Sequence, residues 1–309
     1  MPVHLPCGVC GGALALRFPG GGEAPAPGDL SPSCHRPRAH GDLYRCRECG
    51  TVQQPSLPSA GELADLYREM EDDGYMDEEP GRRATAARLL ELVERRRRPG
   101  RLLEIGCGHG LLLDEARLRG WRVRGLELSA SSRRHARDVL GLDVRDERIE
   151  QLDPREAGSW DAVLLVDVLE HLDDPAGALR RCHELLAPGG VLCVVTPDPS
   201  SLTARAAGAR WWGLLPAHTH LLPRATLREL VSAGGLVIAD DVPLVRTFSA
   251  RYWLSGLAER GGPLAAAVRA AAARLPERSA LSLSLGDERV VIAVNEPVRE
   301  PAEALASPR

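Results

Sequence analysis

The sequence predicts an α/β protein, a doubly wound and mostly parallel sheet preceded by a small cysteine-rich module. Three observations carry this. From Arg101 onward, short apolar runs alternate with segments of helical periodicity, the pattern of successive βαβ units. A strand over Arg101–Gly106 runs directly into the glycine-rich turn Gly106-Cys107-Gly108-His109-Gly110. Two Cys-x-x-Cys pairs, Cys7/Cys10 and Cys46/Cys49, stand apart at the amino end.

The 309 residues suffice for one full α/β domain plus a small module. Hydrophobic residues make up 44% and charged residues 27%, ordinary for a globular protein with a core of normal size. The net charge of -4 gives no basic field, which argues against a general nucleic-acid binder. Every basic residue other than His is Arg, and with so much Ala, Gly and Pro this reads as codon bias rather than function. The amino terminus lacks the pattern of a signal peptide, and no apolar run reaches membrane-span length. The expected location is therefore cytoplasmic and reducing, where paired cysteines favour metal over disulfide.

Along the chain, residues 1–57 form the cysteine-rich module, whose segment from Phe18 to Ser33 is rich in Gly, Pro and Ala and reads as a loop. Residues 58–98 read as a helical linker and cofactor lid. Ser59 and Glu62 have capping-box spacing ahead of Leu63, Leu66, Tyr67 and Met70, and a second helix spans about Arg82–Arg98. Residues 99–297 form the main domain. Its expected strands are Arg101–Gly106, Trp121–Leu128, Trp160–Asp167, Val191–Thr196, Leu236–Pro243 and Arg289–Asn295. Its helices are Leu111–Leu118, Ala130–Leu140, Pro175–Leu186 and Arg224–Ala233. Residues 248–285 read as an irregular helical insertion and 298–309 as a disordered tail. The run Arg95–Arg98 reads as a solvated helix end.

The turn Gly106–Gly110 is a cofactor signal because the backbone must turn tightly and let a ligand lie against it. Glu104 lies at the end of its strand, and Glu127 ends the next strand, where a carboxylate can accept both hydroxyls of a ribose. Ser159-Trp160-Asp161 opens a later strand that ends at Asp167. A dinucleotide fingerprint would place its third glycine one residue later, where Leu111 stands. S-adenosylmethionine has no pyrophosphate and suits Gly-x-Gly-x-Gly.

The stretches Leu103–Gly110, Trp160–Pro175, Ala187–Pro197 and His218–Leu227 resemble class I methyltransferases of the ubiquinone-biosynthesis-like, small-molecule type, over residues 100–240. The resemblance implies a Rossmann-like, seven-stranded, mostly parallel sheet whose last strand is antiparallel, and S-adenosylmethionine as cofactor. It implies that Gly106, Gly108 and Gly110, with Cys107 between them, contact the methionine part and ribose, that Glu127 and Leu128 hold the ribose, and that Asp167 and Val168 line the methionine end beside Glu104. Adenine would contact Arg148–Glu150, with Ile149 at its centre, where this chain departs from the family's Gly-Asp.

Each Cys-x-x-Cys pair is followed by Gly, the spacing of a zinc knuckle, so Cys7, Cys10, Cys46 and Cys49 form a candidate closed four-thiolate structural zinc site. Cys34 and His35 read as bystanders. The layout resembles methyltransferases with a zinc-ribbon head, which often modify sugars or secondary metabolites. A zinc-headed RNA guanine methyltransferase shares the layout and is the alternative, as is a non-catalytic module that binds cofactor only.

Methyl transfer is an in-line displacement that needs alignment, plus proton removal when the nucleophile is a hydroxyl. His218 ranks first as base or substrate contact, then His171, then His220, all expected at the carboxyl edge of the sheet. Asp167-x-x-Glu170-His171 also has the donor types of a Mg or Mn site, but Glu170 reads rather as an anchor of the following helix. Trp211 and Trp212 either wall the acceptor pocket or fill the core, and with aromatics only 4% of the chain the pair in this loop reads rather as pocket wall. The expected partner is a small-molecule acceptor, with neither nucleic acid nor membrane.

Overall fold

The computed structural model describes residues 5–21, 25–31, 40–55, 60–72, 74–259, 265–275 and 280–296. Ser59 of the expected capping box, Cys34, His35 and the tail 298–309 lie outside them.

The amino-terminal module contributes β1 (Leu14–Phe18), β2 (Leu43–Cys46) and β3 (Val52–Gln53), then α1 (Ala60–Glu69) and α2 (Glu79–Glu94) follow. The main domain runs β4 (Arg101–Ile105), α3 (Leu111–Leu118), β5 (Arg122–Leu126), α4 (Ala130–Arg134), β6 (Val144–Arg145) and β7 (Trp160–Val166). It continues α5 (Pro175–Leu185), β8 (Leu186–Pro197), α6 (Leu202–Ala207), β9 (His220–Leu221), α7 (Arg224–Ala233) and β10 (Val237–Pro243). Then come β11 (Arg246–Ser249), α8 (Ala250–Glu259), α9 (Ala265–Ala272), β12 (Ala280–Leu283) and β13 (Glu288–Val294).

The main sheet has seven strands in the order β10-β13-β8-β7-β4-β5-β6. The pairs β8/β7, β7/β4, β4/β5 and β5/β6 are parallel, and β13 runs antiparallel to both its neighbours. This is the Rossmann-like, seven-stranded, mostly parallel sheet with its last strand antiparallel that the resemblance implies. Its central strands read as continuous apolar runs because helices cover both faces: Leu103, Val163, Leu165 and Leu192 pack on one side, and Leu102, Ala162, Leu164 and Cys193 on the other.

The second sheet, β1-β2-β3-β9, joins the module to the main domain. Its last strand is β9, which comes from the segment after β8 and pairs antiparallel with β3 through Val52/Leu221 and Gln53/His220. Leu43, Val52, Leu221, Trp211 and Leu214 form the core between them.

The structure departs from the expected elements in four places. The helix after β5 is α-helical only to Arg134 and continues as a π-turn over His135–Val139. The insertion is not wholly helical, because β11 and β12 pair antiparallel at its two ends. The second helix starts earlier, at Glu79, and ends at Glu94. Within the arginine run that follows it, Arg96 pairs with Asp240 and Arg97 with Asp161, so tertiary carboxylates rather than solvent alone hold it.

Candidate active site

At the carboxyl edge of the parallel strands lies a cavity of about 890 Å³. Ligands gather there in open α/β sheets because the loops diverge on either side of the strand order's reversal. The glycine turn forms its floor. Gly106 has φ +67, and a Cβ on it would come within 2.5 Å of Val168 Cγ2, so only glycine fits. Glu127 organises the turn from the next strand: Oε2 accepts from Gly108 N at 2.8 Å and Oε1 from Ser129 N at 2.7 Å. Burial raises its carboxyl above the usual range, while those N–H groups and Arg133 oppose the rise.

Glu104, Gly106, Cys107, Gly108, Glu127, Leu128, Ile149, Asp167 and Val168 all line this cavity. Gly110 is not among the lining residues. A Cβ there would meet Leu142 Cδ1 at 2.7 Å, so this glycine lets α3 pack close to the following helix. Glu104 is fully buried, and Oε2 has no hydrogen-bond partner among the described residues. Burial, with the Glu127 charge adding to it, holds its carboxyl well above the usual range. Asp161 accepts from Arg101 N at 2.8 Å and from Arg97 at the amino end of β7, so the Ser159–Asp161 segment stitches the sheet rather than lining the cavity.

Tyr75 covers the turn. It stacks on the His109 ring with centroids 4.5 Å apart, and the Arg82 guanidinium lies 3.8 Å above the Tyr75 ring. Burial and the nearby His135 bring His109 down to about 4. Asp167 holds φ 56, uncommon for a residue with a side chain. Its carboxylate accepts from Arg246 at 2.7 Å, and Arg246 also makes paired hydrogen bonds to Glu288. Arg246, Glu288 and the Tyr75/Arg82 cover were not identified from sequence. A lone Arg before an apolar strand gives no signal of the carboxylates it will meet.

On the far side of the cavity stand His171 and His218, with ring centroids 4.8 Å apart. His218 Nδ1 lies 2.6 Å from Gly213 O, and His171 Nδ1 lies 3.1 Å from Ala217 O and 2.8 Å from the Tyr67 hydroxyl. A carbonyl only accepts, so each Nδ1 carries the proton and each Nε2 keeps its lone pair. Burial and the neighbouring His171 push His218 down to about 3, and burial lowers His171 as well.

Glu170 sits between these histidines and the sheet. Oε2 accepts from Thr196 Oγ1 at 2.9 Å, Oε1 has no partner among the described residues, and burial raises its carboxyl far above the usual range. It is tied to β8 and, through its carbonyl, to Thr219 N. Asp174, not Glu170, caps the following helix by accepting from Gly177 N. His220 does not line the cavity. It belongs to β9, and its ring packs against Gly8 of the module. Trp211 and Trp212 line the cavity, and both indole N–H groups donate to Asp287 Oδ2.

The four module cysteines converge, all Sγ atoms lying within 4.8 Å of one another. Cys7 and Cys49 are 3.7 Å apart and Cys10 and Cys46 3.5 Å apart. Sulfurs on a tetrahedral centre with bonds of ~2.3 Å stand ~3.8 Å from each other, so the set has the dimensions of a four-thiolate metal site. Burial pushes the Cys46 thiol up, but N–H groups of Cys49 and Glu48 more than offset it, bringing it to about 7.

A family model described as a methyltransferase domain matches residues 76–240. The ubiquinone biosynthesis O-methyltransferase of Marinobacter nauticus is 38% identical over 130 residues, covering 39% of this chain and 55% of its own. The protein of the same description from Xanthomonas axonopodis pv. citri is 36% identical over 165 residues, covering 49% of this chain and 69% of its own. The chain thus spans little more than half the length of the first of these relatives. Among solved structures, a Bacillus halodurans methyltransferase superposes with a TM-score of 0.50 at 13% identity, covering 69% of this chain and all of that one (100%). A Haloferax volcanii methyltransferase–activator complex superposes with a TM-score of 0.50 at 16% identity, covering 76% and 98%. At such identities these structures speak for the fold alone. The chain belongs to the class I S-adenosylmethionine-dependent methyltransferases, in the group related to the ubiquinone-biosynthesis O-methyltransferases.

Proposed function

We propose that the chain methylates a hydroxyl of a small molecule, a sugar or a secondary metabolite, held between the cofactor and the His171/His218 wall. The observation that carries this is the shared cavity: the glycine turn with Glu127 lies on one side, and Trp211, Trp212 and two histidines with free Nε2 lone pairs on the other. Its volume sits at the upper end of the ~300–1,000 Å³ range of ligand pockets, consistent with a cofactor and an acceptor together. The relatives described as O-methyltransferases support oxygen as the acceptor atom.

In this reading Gly106, Gly108 and Glu127 seat the ribose, and Leu128 and Ile149 flank the nucleoside. Glu104, whose Oε2 has no hydrogen-bond partner among the described residues, would receive the cofactor's amino group, with Asp167 and Val168 at the methionine end. The cofactor supplies an electrophilic methyl on a sulfonium, and this chain's residues supply alignment and water exclusion. His218 accepts the hydroxyl proton at Nε2. Its depressed pKa keeps it neutral at physiological pH. Weak basicity suffices, because the acceptor oxygen becomes strongly acidic as the O–C bond forms. His171, fixed by Ala217 and Tyr67, orients the acceptor.

Cys7, Cys10, Cys46 and Cys49 hold a structural zinc. The closed thiolate set leaves no open position for catalysis.

The test is formation of demethylated cofactor when purified protein and S-adenosylmethionine meet panels of phenols, sugars and RNA. Turnover with a hydroxyl acceptor that collapses in His218→Ala at unchanged cofactor affinity is the expected result. Turnover confined to RNA, or to no acceptor with cofactor still bound, would replace this reading with the RNA enzyme or the non-catalytic module.

A further inference from the structure

The loop that carries His218 is held by one side chain from the cysteine module. Gln54 immediately follows β3 and is 4% exposed. Its amide nitrogen donates to Leu215 O at 2.9 Å and His218 O at 2.8 Å, with Pro216 O at 3.3 Å. Its Oε1 accepts from Gly41 N at 2.8 Å, and its own backbone N–H donates to Thr219 O at 3.2 Å. The amide's two protons are thus spent on carbonyls more than 160 positions away in the chain. Leu215 O also accepts from His218 N at 3.2 Å, but among the described contacts the His218 carbonyl has Gln54 as its donor, and losing a donor to a buried carbonyl is costly.

Other module contacts brace the same region. β3 pairs with β9, Thr226 Oγ1 donates to Cys49 O at 2.6 Å, and Gln53 Oε1 accepts from Gly8 N at 3.1 Å. A rigid chain of contacts therefore runs from the cysteine cluster through β3 to the His218 carbonyl.

We propose that Gln54 is a positioning residue, the point at which the cysteine module fixes the loop 213–219 and sets the distance of the His218 imidazole from the bound acceptor. This rests on the reading of His218 as the proton acceptor. Among the described contacts the main domain holds the rest of this segment at other points: His171 Nδ1 meets Ala217 O at 3.1 Å, His218 N donates to Leu215 O at 3.2 Å, and Glu170 and Leu172 hold Thr219 through its N and Oγ1. With Gln54 replaced, the loop keeps these anchors and loses the donor that ties the Pro216 and His218 carbonyls to the module. His218 then gains solvent and moves relative to the groups that face it, which are Glu170, His171 and, through His171, Tyr67.

The experiment compares full-length wild type with Gln54→Met, which keeps size and removes every polar atom, and with Gln54→Glu, which keeps Oε1 and offers a donor only while protonated. Amide hydrogen exchange read by mass spectrometry is expected to rise at least tenfold in peptides covering 213–219 in Gln54→Met and to stay unchanged over 101–128. Affinity for S-adenosylmethionine should stay within about twofold. The His218 ring resonance, followed by NMR, should titrate at least one pH unit closer to an ordinary histidine. In Gln54→Glu the ratio of the loop's exchange rate to that of wild type at the same pH should rise as pH rises and the carboxyl ionises against the carbonyls. This second variant decides the matter if Gln54→Met does not fold. Unchanged loop exchange and an unchanged His218 titration in whichever variant folds would overturn the proposal. Failure of the proton-acceptor reading looks different: undiminished turnover in His218→Ala, whatever Gln54 does to the loop.

Discussion

The burial of His218 makes a measurable claim on acid stability. Its folded pKa is pushed down to about 3 by burial and by His171, while an unfolded histidine titrates near ~6.5. Between these values the unfolded chain binds a proton that the folded chain refuses. The stabilising contribution is therefore complete above pH ~6.5 and is lost as pH falls toward about 3. Each pH unit in this window costs ~1.4 kcal/mol for one proton, so lowering the pH from ~6.5 to ~4.5 removes ~2–3 kcal/mol on account of this ring alone. His218→Asn isolates the effect, since Asn cannot titrate and its amide can donate to Gly213 O as Nδ1–H does. His109 acts in the same sense, and the raised carboxyls of Glu104 and Glu170 act in the opposite sense, but all three are common to both proteins and cancel in the difference. Urea unfolding at the two pH values, read by tryptophan fluorescence, should show wild type losing ~2–3 kcal/mol more than His218→Asn. Parallel losses would refute the reasoning, because they would mean that the ring protonates equally in both states and is not shielded from water.

Glu127→Ala should weaken S-adenosylmethionine binding by ~1–3 kcal/mol in calorimetry through lost charge-assisted hydrogen bonds; unchanged affinity, or preference for a nicotinamide dinucleotide, would sink the cofactor assignment. Metal analysis should find about one zinc per chain, and Cys46→Ser should lose it together with cooperative folding of the module, whereas a metal-free chain with an ordered module excludes the site. Gly106→Ala should cost at least ~1 kcal/mol of stability and most of the cofactor affinity, because its Cβ would meet Val168 at 2.5 Å from a left-handed backbone; a variant that binds and melts like wild type would show that the turn is not constrained there.

The main sheet was legible because parallel strands buried on both faces are written as apolar runs, such as Ala162 to Leu165, and because Gly106–Gly110 marks where a strand must turn into a helix. Short elements were not legible. β6 is two residues, one of them Arg145, and carries no periodicity to detect. β11 and β12 were hidden inside a helical reading because Ser282 and Thr247 interrupt their apolar pattern, and their pairing spans the whole insertion. At the site, the cofactor-side residues followed from local motif spacing, whereas the carboxylates around Arg246 and the cover of Tyr75 on His109 exist only once distant segments pack. His218 and His171 were found through their positions after strands. His220, equally well placed in sequence, lies in β9 opposite Gln53, and its ring packs against Gly8 of the module, a pairing between distant segments that no local pattern announces.

That pairing also explains why the module and the main domain are mechanically one object. A two-residue strand such as β9 has almost no stability of its own, and β3 is no longer. β3 is ordered by pairing with β2, and β9 by pairing with β3, over a shared core of Leu43, Val52, Trp211, Leu214 and Leu221. The cysteine cluster fixes the turns that lead into β1 and β3, as the positive φ of Gly11 and Gly50 after each Cys-x-x-Cys pair requires. Order therefore propagates from the thiolates to β3, from β3 to β9, and from β9 to the segment 213–219. A loop at the mouth of a large cavity would ordinarily be among the least stable parts of a domain. Here its far end is tied into a sheet that comes from outside the domain, so in the proposed reading acceptor-side geometry depends on a cysteine cluster that does not line the cavity.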